Sequence, residues 1–241
     1  MPPQFDLKEL GSTGLKTYSG YVYEEFLREL QGDRWHRVIR QMVDNDATIG
    51  AILYAIDMML RQVNWEVQPA SESTEDMQNA EFVSGALFED MSHSWPDTLS
   101  EILSYLPWGW SYLEIIYKRR GGAETSDPTQ RSNFTDGKIG WRKWAIRAQE
   151  TLSRWEFDPD GGIQGMWQRD TARVGVGEVF IPIDKALHFK TIGRKNNPES
   201  KSILRNSYTS WYFKTKIASI EAIGIERDLA GLPVAWVPPE Y

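Results

Sequence analysis

The stretch LSRWEFDPDGGIQGMWQR, residues 152–169, predicts two antiparallel strands joined by a tight turn. Residues 152–157 and 163–169 are rich in the branched and aromatic residues that fit a pleated sheet. The DPDGG sequence at 158–162 is typical of a turn, because proline presets φ and glycine accepts a positive φ. The second half of the chain is therefore expected to contain an antiparallel sheet with hairpins.

Other segments around this hairpin also have strand-like composition, and several end at a proline or glycine. Asn64 to Pro69 alternates and stops at the proline, and Gly175-Val176-Gly177 is predicted to be a turn between strands. The further predicted strands are 112–117, 141–148, 179–183 and 186–190. By contrast, Gly121 to Lys138 is polar and has almost no apolar residues, which is typical of a mobile surface loop.

The first half of the chain and its last forty residues have helical periodicity instead. Asp46 is placed to cap one helix, and Pro96 suits a first helical position. The predicted helices are 21–31, 35–42, 47–60, 74–91, 96–106 and about 200–228. The fold class is therefore α+β, with helices first, a central antiparallel sheet with hairpins, and a long C-terminal helix. We expect residues 1–20 to form an extended N-terminal arm.

Composition excludes several classes of protein. The chain has 241 residues, a net charge of −7 and no cysteine, so it has no disulfide, no thiolate metal site and no cysteine nucleophile. No apolar run is long enough to span a membrane, and the first residues do not resemble a secretory signal. The eleven tryptophans are the unusual feature. They are either core residues or anchors of an interface or a ligand platform.

Motifs for catalysis are missing from the sequence. His36, His93 and His188 are not at metal-ligand spacing, and His188 lies within a predicted strand, as a structural residue would. The glycines do not form a phosphate-binding loop, and no G-x-S-x-G sequence occurs. We therefore expect no enzyme activity, no catalytic or metal-binding residue, and no cofactor.

Positive charge is concentrated before and within the predicted C-terminal helix. Residues 194–216 contain six basic side chains and one acid, a net charge of +5 in an acidic chain. This segment is a solvated helix face, a partner for an acidic neighbouring subunit, or a surface near DNA. The candidate residues for a DNA channel or an inter-subunit contact are Lys201, Arg205, Lys214 and Lys216.

An ordered series of segments resembles the portal proteins of tailed bacteriophages, and in particular the Mu-like branch of that family. RAQETLSRWEFDPDGGIQG at 147–165 is similar to their central sheet, and WGWSYLEIIY at 108–117 to an upstream strand. IPIDKALHF at 181–189 resembles the strand before their long helix, and NPESKSILR at 197–205 resembles the entry to it. The helix itself, from WYFK at 211 to GIER at 224–227, completes the resemblance.

The resemblance implies a structural subunit of a homo-oligomeric ring, commonly a dodecamer, at one vertex of a capsid in the virion. Double-stranded DNA passes through such a ring during packaging and ejection. The implied partners are the major capsid protein, the terminase motor and the neck or tail adaptor proteins. The resemblance implies no membrane partner. Such a protein is made in the cytoplasm of a bacterial host.

The same resemblance divides the chain into regions. Residues 21–195 correspond to a wing, 196–230 to a first stem helix, and 231–241 to the start of a clip. Portals are usually much longer, so we expect the sequence to be part of a longer protein. Two alternatives remain: a tryptophan-rich module that binds a glycan or a protein and has no viral role, and an unrecognised hydrolase on the strand-rich half.

Overall fold

A computed structural model describes residues 11–170, 177–229, 231, 235 and 239–240. The chain divides into two compact units, Met1–Ile203 and Leu204–Tyr241. The predicted turn at 175–177 and the clip-like segment at 231–241 lie largely outside the described residues, as does the first half of the predicted arm.

Three α-helices of the first unit begin at polar side chains that cap them. Asp46 accepts hydrogen bonds from the amides of Thr48 and Ile49, as its position in the sequence predicts. Ser73 and Ser94 cap two later helices in the same way. The helices are α1 Gly32–Asn45, α2 Ala47–Arg61, α3 Thr74–Ser84 with a π-helical turn at Gly85–Glu89, α4 Trp95–Leu103 and α5 Tyr105–Trp108.

The strands form antiparallel sheets. A short hairpin pairs β1 (Thr17–Tyr18) with β2 (Tyr21–Val22). One sheet has the order β4-β3-β8, from β3 (Trp110–Arg119), β4 (Ile139–Arg147) and β8 (Ala186–Lys190). The other has the order β5-β6-β7, from β5 (Leu152–Phe157), β6 (Ile163–Arg169) and β7 (Glu178–Pro182). The α+β class and the central hairpin sheet are therefore confirmed.

The turn between β5 and β6 is held by one aspartate. The Asp158 Oδ1 atom accepts hydrogen bonds from the amides of Asp160, at 3.0 Å, and Gly162, at 2.6 Å. Gly161 has a φ of +83°, which residues other than glycine rarely adopt. The turn chemistry predicted from DPDGG is thus confirmed.

The core lies where the two larger sheets meet, and its tryptophans are central. Trp110 and Trp155 are 3% and 1% exposed, and their rings meet edge to face at 5.1 Å. The Tyr112 hydroxyl donates to the Ile181 carbonyl at 3.0 Å, which links β3 to β7. His188 stacks on Trp155 at 5.2 Å, and burial lowers the pKa of its imidazole to about 4. His188 is thus a core residue, as its strand position indicates.

The structure corrects the first predicted helix, at 21–31. Tyr21–Val22 is strand β2, Arg28–Leu30 is a short 3-10 turn, and the helix begins only at Gly32. The reason is a non-local contact, since the Trp155 amide donates to the Gly20 carbonyl at 2.9 Å and fixes the hairpin on β5. Phe26, which carried the helical spacing, is 80% exposed.

The predicted strand at 64–69 is not formed either. In its place, the Trp65 indole donates to the Leu60 carbonyl at 3.2 Å and packs on Trp95 at 5.8 Å. The side chain therefore anchors this segment against α2 and α4, and no β-ladder forms.

The polar segment at 121–138 has fixed contacts where we expected a mobile loop. The Phe134 ring lies 3.8 Å from the Arg120 guanidinium, and the Gly122 amide donates to the Phe134 carbonyl at 2.8 Å. Ser132 donates to Asp90, whose carboxylate is 3.1 Å from the Lys118 ammonium, both nearly inaccessible to solvent. A buried ion pair thus organises a segment that has few apolar residues.

The second unit contains a 3-10 turn, Arg205–Ser207, and the helix α6, Tyr208–Leu229. The helix therefore starts about eight residues later than predicted. Lys195, Asn196 and Ser200 have φ values of +58°, +55° and +48°, which an α-helix cannot contain. Among the described helices, none is long and apolar enough to cross a membrane.

Candidate functional site

Helix α6 carries large apolar side chains that are exposed on the single chain. The helical spacing of apolar residues from Ile203 to Ile223 predicts one stripe that docks the helix. In the structure, Ile217, Ile220 and Ile223 of that stripe are 54%, 69% and 56% exposed. Ile203 and Leu204, the first members of that stripe, precede the helix altogether. The full set of exposed large apolar residues on α6 is Tyr212, Phe213, Ile217, Ile220, Ile223, Ile225 and Leu229.

Most of these residues, together with Trp211 and two alanines, form two seams on roughly opposite sides of the helix, as the spacing of three and four residues requires, and Tyr212 and Ile223 lie between the seams. We call Phe213, Ile217 and Ile220 the first seam. The second seam contains Trp211, Ala218, Ala222, Ile225 and Leu229. A helix that is apolar on more than one side is normally covered on more than one side.

The two candidate lysines of α6 point in different directions. Lys214 and Lys216 are two residues apart, so they lie on nearly opposite sides of the helix. Both are exposed, and the Lys216 ammonium lies 5.6 Å from the centre of the Tyr212 ring, one turn away. A single DNA-facing line of side chains along this helix therefore contains one of them and not both.

The other two candidates lie outside the helix. Arg205 begins the 3-10 turn and is partly exposed. Lys201 belongs to the first unit, where its amide donates to the Thr191 Oγ1 atom at 3.3 Å and its carbonyl accepts from the same hydroxyl at 2.6 Å. The four residues predicted as one basic group thus come from two units and three local structures.

Charge is unevenly distributed along α6. Its first half carries Lys214 and Lys216, and its second half carries Glu221, Glu226 and Asp228 together with Arg227. Acids near a helix C-terminus are unfavourable for the isolated helix, because that end has a partial negative charge. This gradient is therefore not explained by the stability of the helix alone.

Helix α2 adds a second exposed apolar surface, which the sequence analysis missed. Ile52, Tyr54 and Met59 are 55%, 67% and 70% exposed, and charged residues occur in α2 only at Asp57 and Arg61. The signal was present, since the apolar residues of 47–60 extend beyond one stripe. The sequence predicts a single stripe, of which two members are exposed, Ile52 and Met59, and four are partly buried, Ile49, Leu53, Ile56 and Leu60.

The tryptophans do not form a platform in the described part of the chain. There, Trp65 is the most exposed at 42%, and it packs on Trp95. Trp95 in turn meets Trp144 at 6.1 Å, which meets Trp141 at 5.2 Å. Among the described residues, no group of three or more histidines or acids is placed to hold a metal ion.

Comparison with known proteins gives a match over most of the chain. A family model described as the portal protein of Mu bacteriophage matches residues 36–238. No curated protein matches the chain. Among solved structures, the neck of an empty GTA particle computed with C6 symmetry is similar, with a TM-score of 0.48 and 11% identity. That match covers 83% of this chain and 48% of the other, so this chain spans about half of that protein's length.

Proposed function

Since the chain belongs to the family of the Mu bacteriophage portal protein, we propose that it is a subunit of a closed ring at the capsid vertex. In this proposal the ring forms the channel for genome packaging and ejection. It also attaches the packaging motor, the major capsid protein and the neck or tail proteins. The protein acts structurally, as a component of the virion, after synthesis in the bacterial cytoplasm.

The observation that carries this proposal is the pair of apolar seams on α6. Identical subunits close into a ring when each uses two different faces, one for each neighbour. A helix with one apolar seam needs one partner, whereas α6 has two seams on roughly opposite sides. Both seams would be covered if each α6 lay between the α6 helices of two neighbouring subunits.

The proposed regions follow from this role. Residues 21–195 serve as a wing, 196–230 lead into and form a stem helix, and 231–241 begin a clip. The candidate lysines then have two different tasks, because Lys214 and Lys216 face different directions. The one on the inner side of the stem meets DNA, and the other contacts the adjacent subunit. We place Arg205 and Lys201 near the outer end of the same path.

The test is assembly of seam variants, measured by mass photometry and electron microscopy of the purified full-length gene product. Ile217→Asp and Ile225→Asp each place a charge in one seam, and each is expected to convert rings to monomers while secondary structure is retained. Ser219→Asp is the matched control, since it adds the same charge at an exposed position of α6 between the two seams. Rings of normal size from both seam variants would refute the proposal.

A further inference from the structure

The segment that leads into the C-terminal helix is held in an unusual way. We call residues 191–203 the linker; all of it belongs to the first unit. In the described part of the chain, four residues other than glycine have a positive φ, and three of them are Lys195, Asn196 and Ser200 in the linker. This backbone conformation is unfavourable for such residues, so tertiary contacts must hold it in place.

Backbone contacts at both ends supply that restraint. The Thr191 amide donates to the Gly109 carbonyl at 3.0 Å, and the Ile203 amide donates to the Leu106 carbonyl at 3.1 Å. Between them, the Pro198 carbonyl lies 2.9 Å from the His188 Nε2 atom. The linker is therefore fastened to α5, to the start of β3 and to β8.

An acid lies at the centre of this arrangement. Glu199 is half-buried as a residue, but its carboxylate reaches the core, where it accepts a hydrogen bond from the indole of the buried Trp155 at 3.2 Å. No ion pair to this carboxylate occurs among the described residues. The Glu199 backbone also closely approaches Gly109, where an added Cβ would come 2.6 Å from the Glu199 carbonyl oxygen. A carboxylate without a cation in such a place favours its neutral form.

We propose that the linker is a latch controlled by one proton on Glu199. It is closed while the carboxyl group is protonated, and it loosens when the proton leaves to solvent. In the loosened state the charged carboxylate reaches water, and the three left-handed residues relax. The attachment point of the C-terminal helix then becomes mobile. This inference does not depend on the proposed ring.

The electrostatics around the linker support this assignment. Burial raises the pKa of Glu199 to about 7, and the hydrogen bond from Trp155 opposes part of that rise. The titratable or charged groups on the linker and on the neighbouring parts of α5, β3, β5 and β8 are Tyr105, Tyr112, Glu114, Arg154, Glu156, His188, Lys190, Arg194, Lys195 and Lys201. None of them contributes to the shift of Glu199. Lys195 pairs with Glu24, and His188 is neutral near pH 7 because burial lowers its pKa to about 4.

The direction of the effect follows from the raised pKa. An exposed glutamate ionises near pH 4.5, so opening the latch releases a proton between about pH 4.5 and 7. The equilibrium for opening therefore rises with pH through that window and levels off above it. The difference between the two pKa values limits the total change in the equilibrium constant for opening to roughly 300-fold.

Hydrogen exchange of the latch amides tests the proposal in the 241-residue chain. We expect the protection of the Thr191 and Ile203 amides, corrected for intrinsic exchange rates, to fall by up to roughly 70-fold from pH 5 to 8. Glu199→Gln mimics the protonated group, so its protection should stay constant. Glu221→Gln removes an exposed carboxylate of α6 and should behave as the wild type does. The amide of the buried Leu113 is the internal reference.

Two results would overturn the proposal: constant protection in the wild-type chain, or the same pH dependence in Glu199→Gln. If Glu199→Gln does not fold, NMR titration of the wild-type carboxyl groups gives the answer. A midpoint of Glu199 near pH 7 that coincides with the loss of amide protection supports the latch. A midpoint below pH 5 refutes it.

Discussion

At the scale of single residues, the buried polar groups described above depend on a few specific partners. Asp90 is the clearest case, because its carboxylate contacts the Lys118 ammonium, the Ser132 hydroxyl and the Asn133 amide. Asp90→Ala leaves the ammonium buried without a counter-charge, and we expect a loss of about 3–5 kcal/mol in the free energy of unfolding. Urea denaturation measures it, with Asp44→Ala at an exposed position as the control. A loss below about 1 kcal/mol would contradict the structure.

A second prediction at this scale concerns the effect of His188 on the pH dependence of stability. Its folded pKa of about 4 lies below the ordinary value of 6.5, so it favours folding above pH 6.5 and this contribution is lost as pH falls to about 4. The shift corresponds to about 3 kcal/mol. Glu199 acts in the opposite direction over nearly the same range, so the measurement belongs in a Glu199→Gln background. There, adding His188→Gln should flatten the dependence of stability on pH; an unchanged slope between pH 4 and 6.5 would contradict it.

At the scale of elements, substitutions on the exposed and on the buried faces of the helices in the first unit should change the free energy of unfolding by different amounts. Met59 on α2 is 70% exposed, whereas Ile39 on α1 is fully buried. Met59→Lys should change the free energy of unfolding by less than about 1 kcal/mol, and Ile39→Ala should cost about 2–4 kcal/mol. Thermal denaturation distinguishes them. Equal losses would mean that α2 packs against the core through the face that carries Met59.

The same scale explains which elements could be predicted from the sequence. The β5–β6 hairpin depends on local turn chemistry, and Asp46 caps its own helix, so both were predictable. The region before Gly32 was not, because its conformation depends on contact between Gly20 and the distant Trp155. The start of α6 was misplaced since the left-handed residues of the linker are stable only through contacts with other elements. The role of the four basic residues stays a prediction, and the directions of Lys214 and Lys216 require the helix register.

At the scale of the whole molecule, the charge gradient along α6 gives a prediction that rests on the proposed function. Exposed charges contribute little to folding, so Lys214→Ala and Lys216→Ala should leave stability nearly unchanged. Only one of them should alter the DNA content of purified particles, because they face different directions. Glu226→Ala is the control for charge removal. Identical effects of both lysine variants on packaged DNA would contradict the assignment of two tasks.

Trp211 adds a prediction about the same helix. From the sequence alone, a buried tryptophan here would cost about 3–5 kcal/mol on change to alanine. In the single chain Trp211 is only partly buried, so Trp211→Ala should cost less than that in a monomer. In an assembled ring, where its seam is covered, the cost should be larger. Denaturation of monomeric and assembled protein side by side measures the difference, and equal costs would place Trp211 outside the subunit contact.

The length of α6 has a consequence for how a duplex would move past it. Its 22 residues extend about 33 Å at 1.5 Å per residue, close to the axial repeat of about 34 Å of B-form DNA. A wall of such helices would therefore face one complete helical repeat of the duplex at every moment. As the duplex advances or rotates, phosphates leave one end of the wall while equivalent phosphates enter at the other. In the proposed ring, the total interaction energy would then stay nearly constant, and translocation would proceed without deep resting positions.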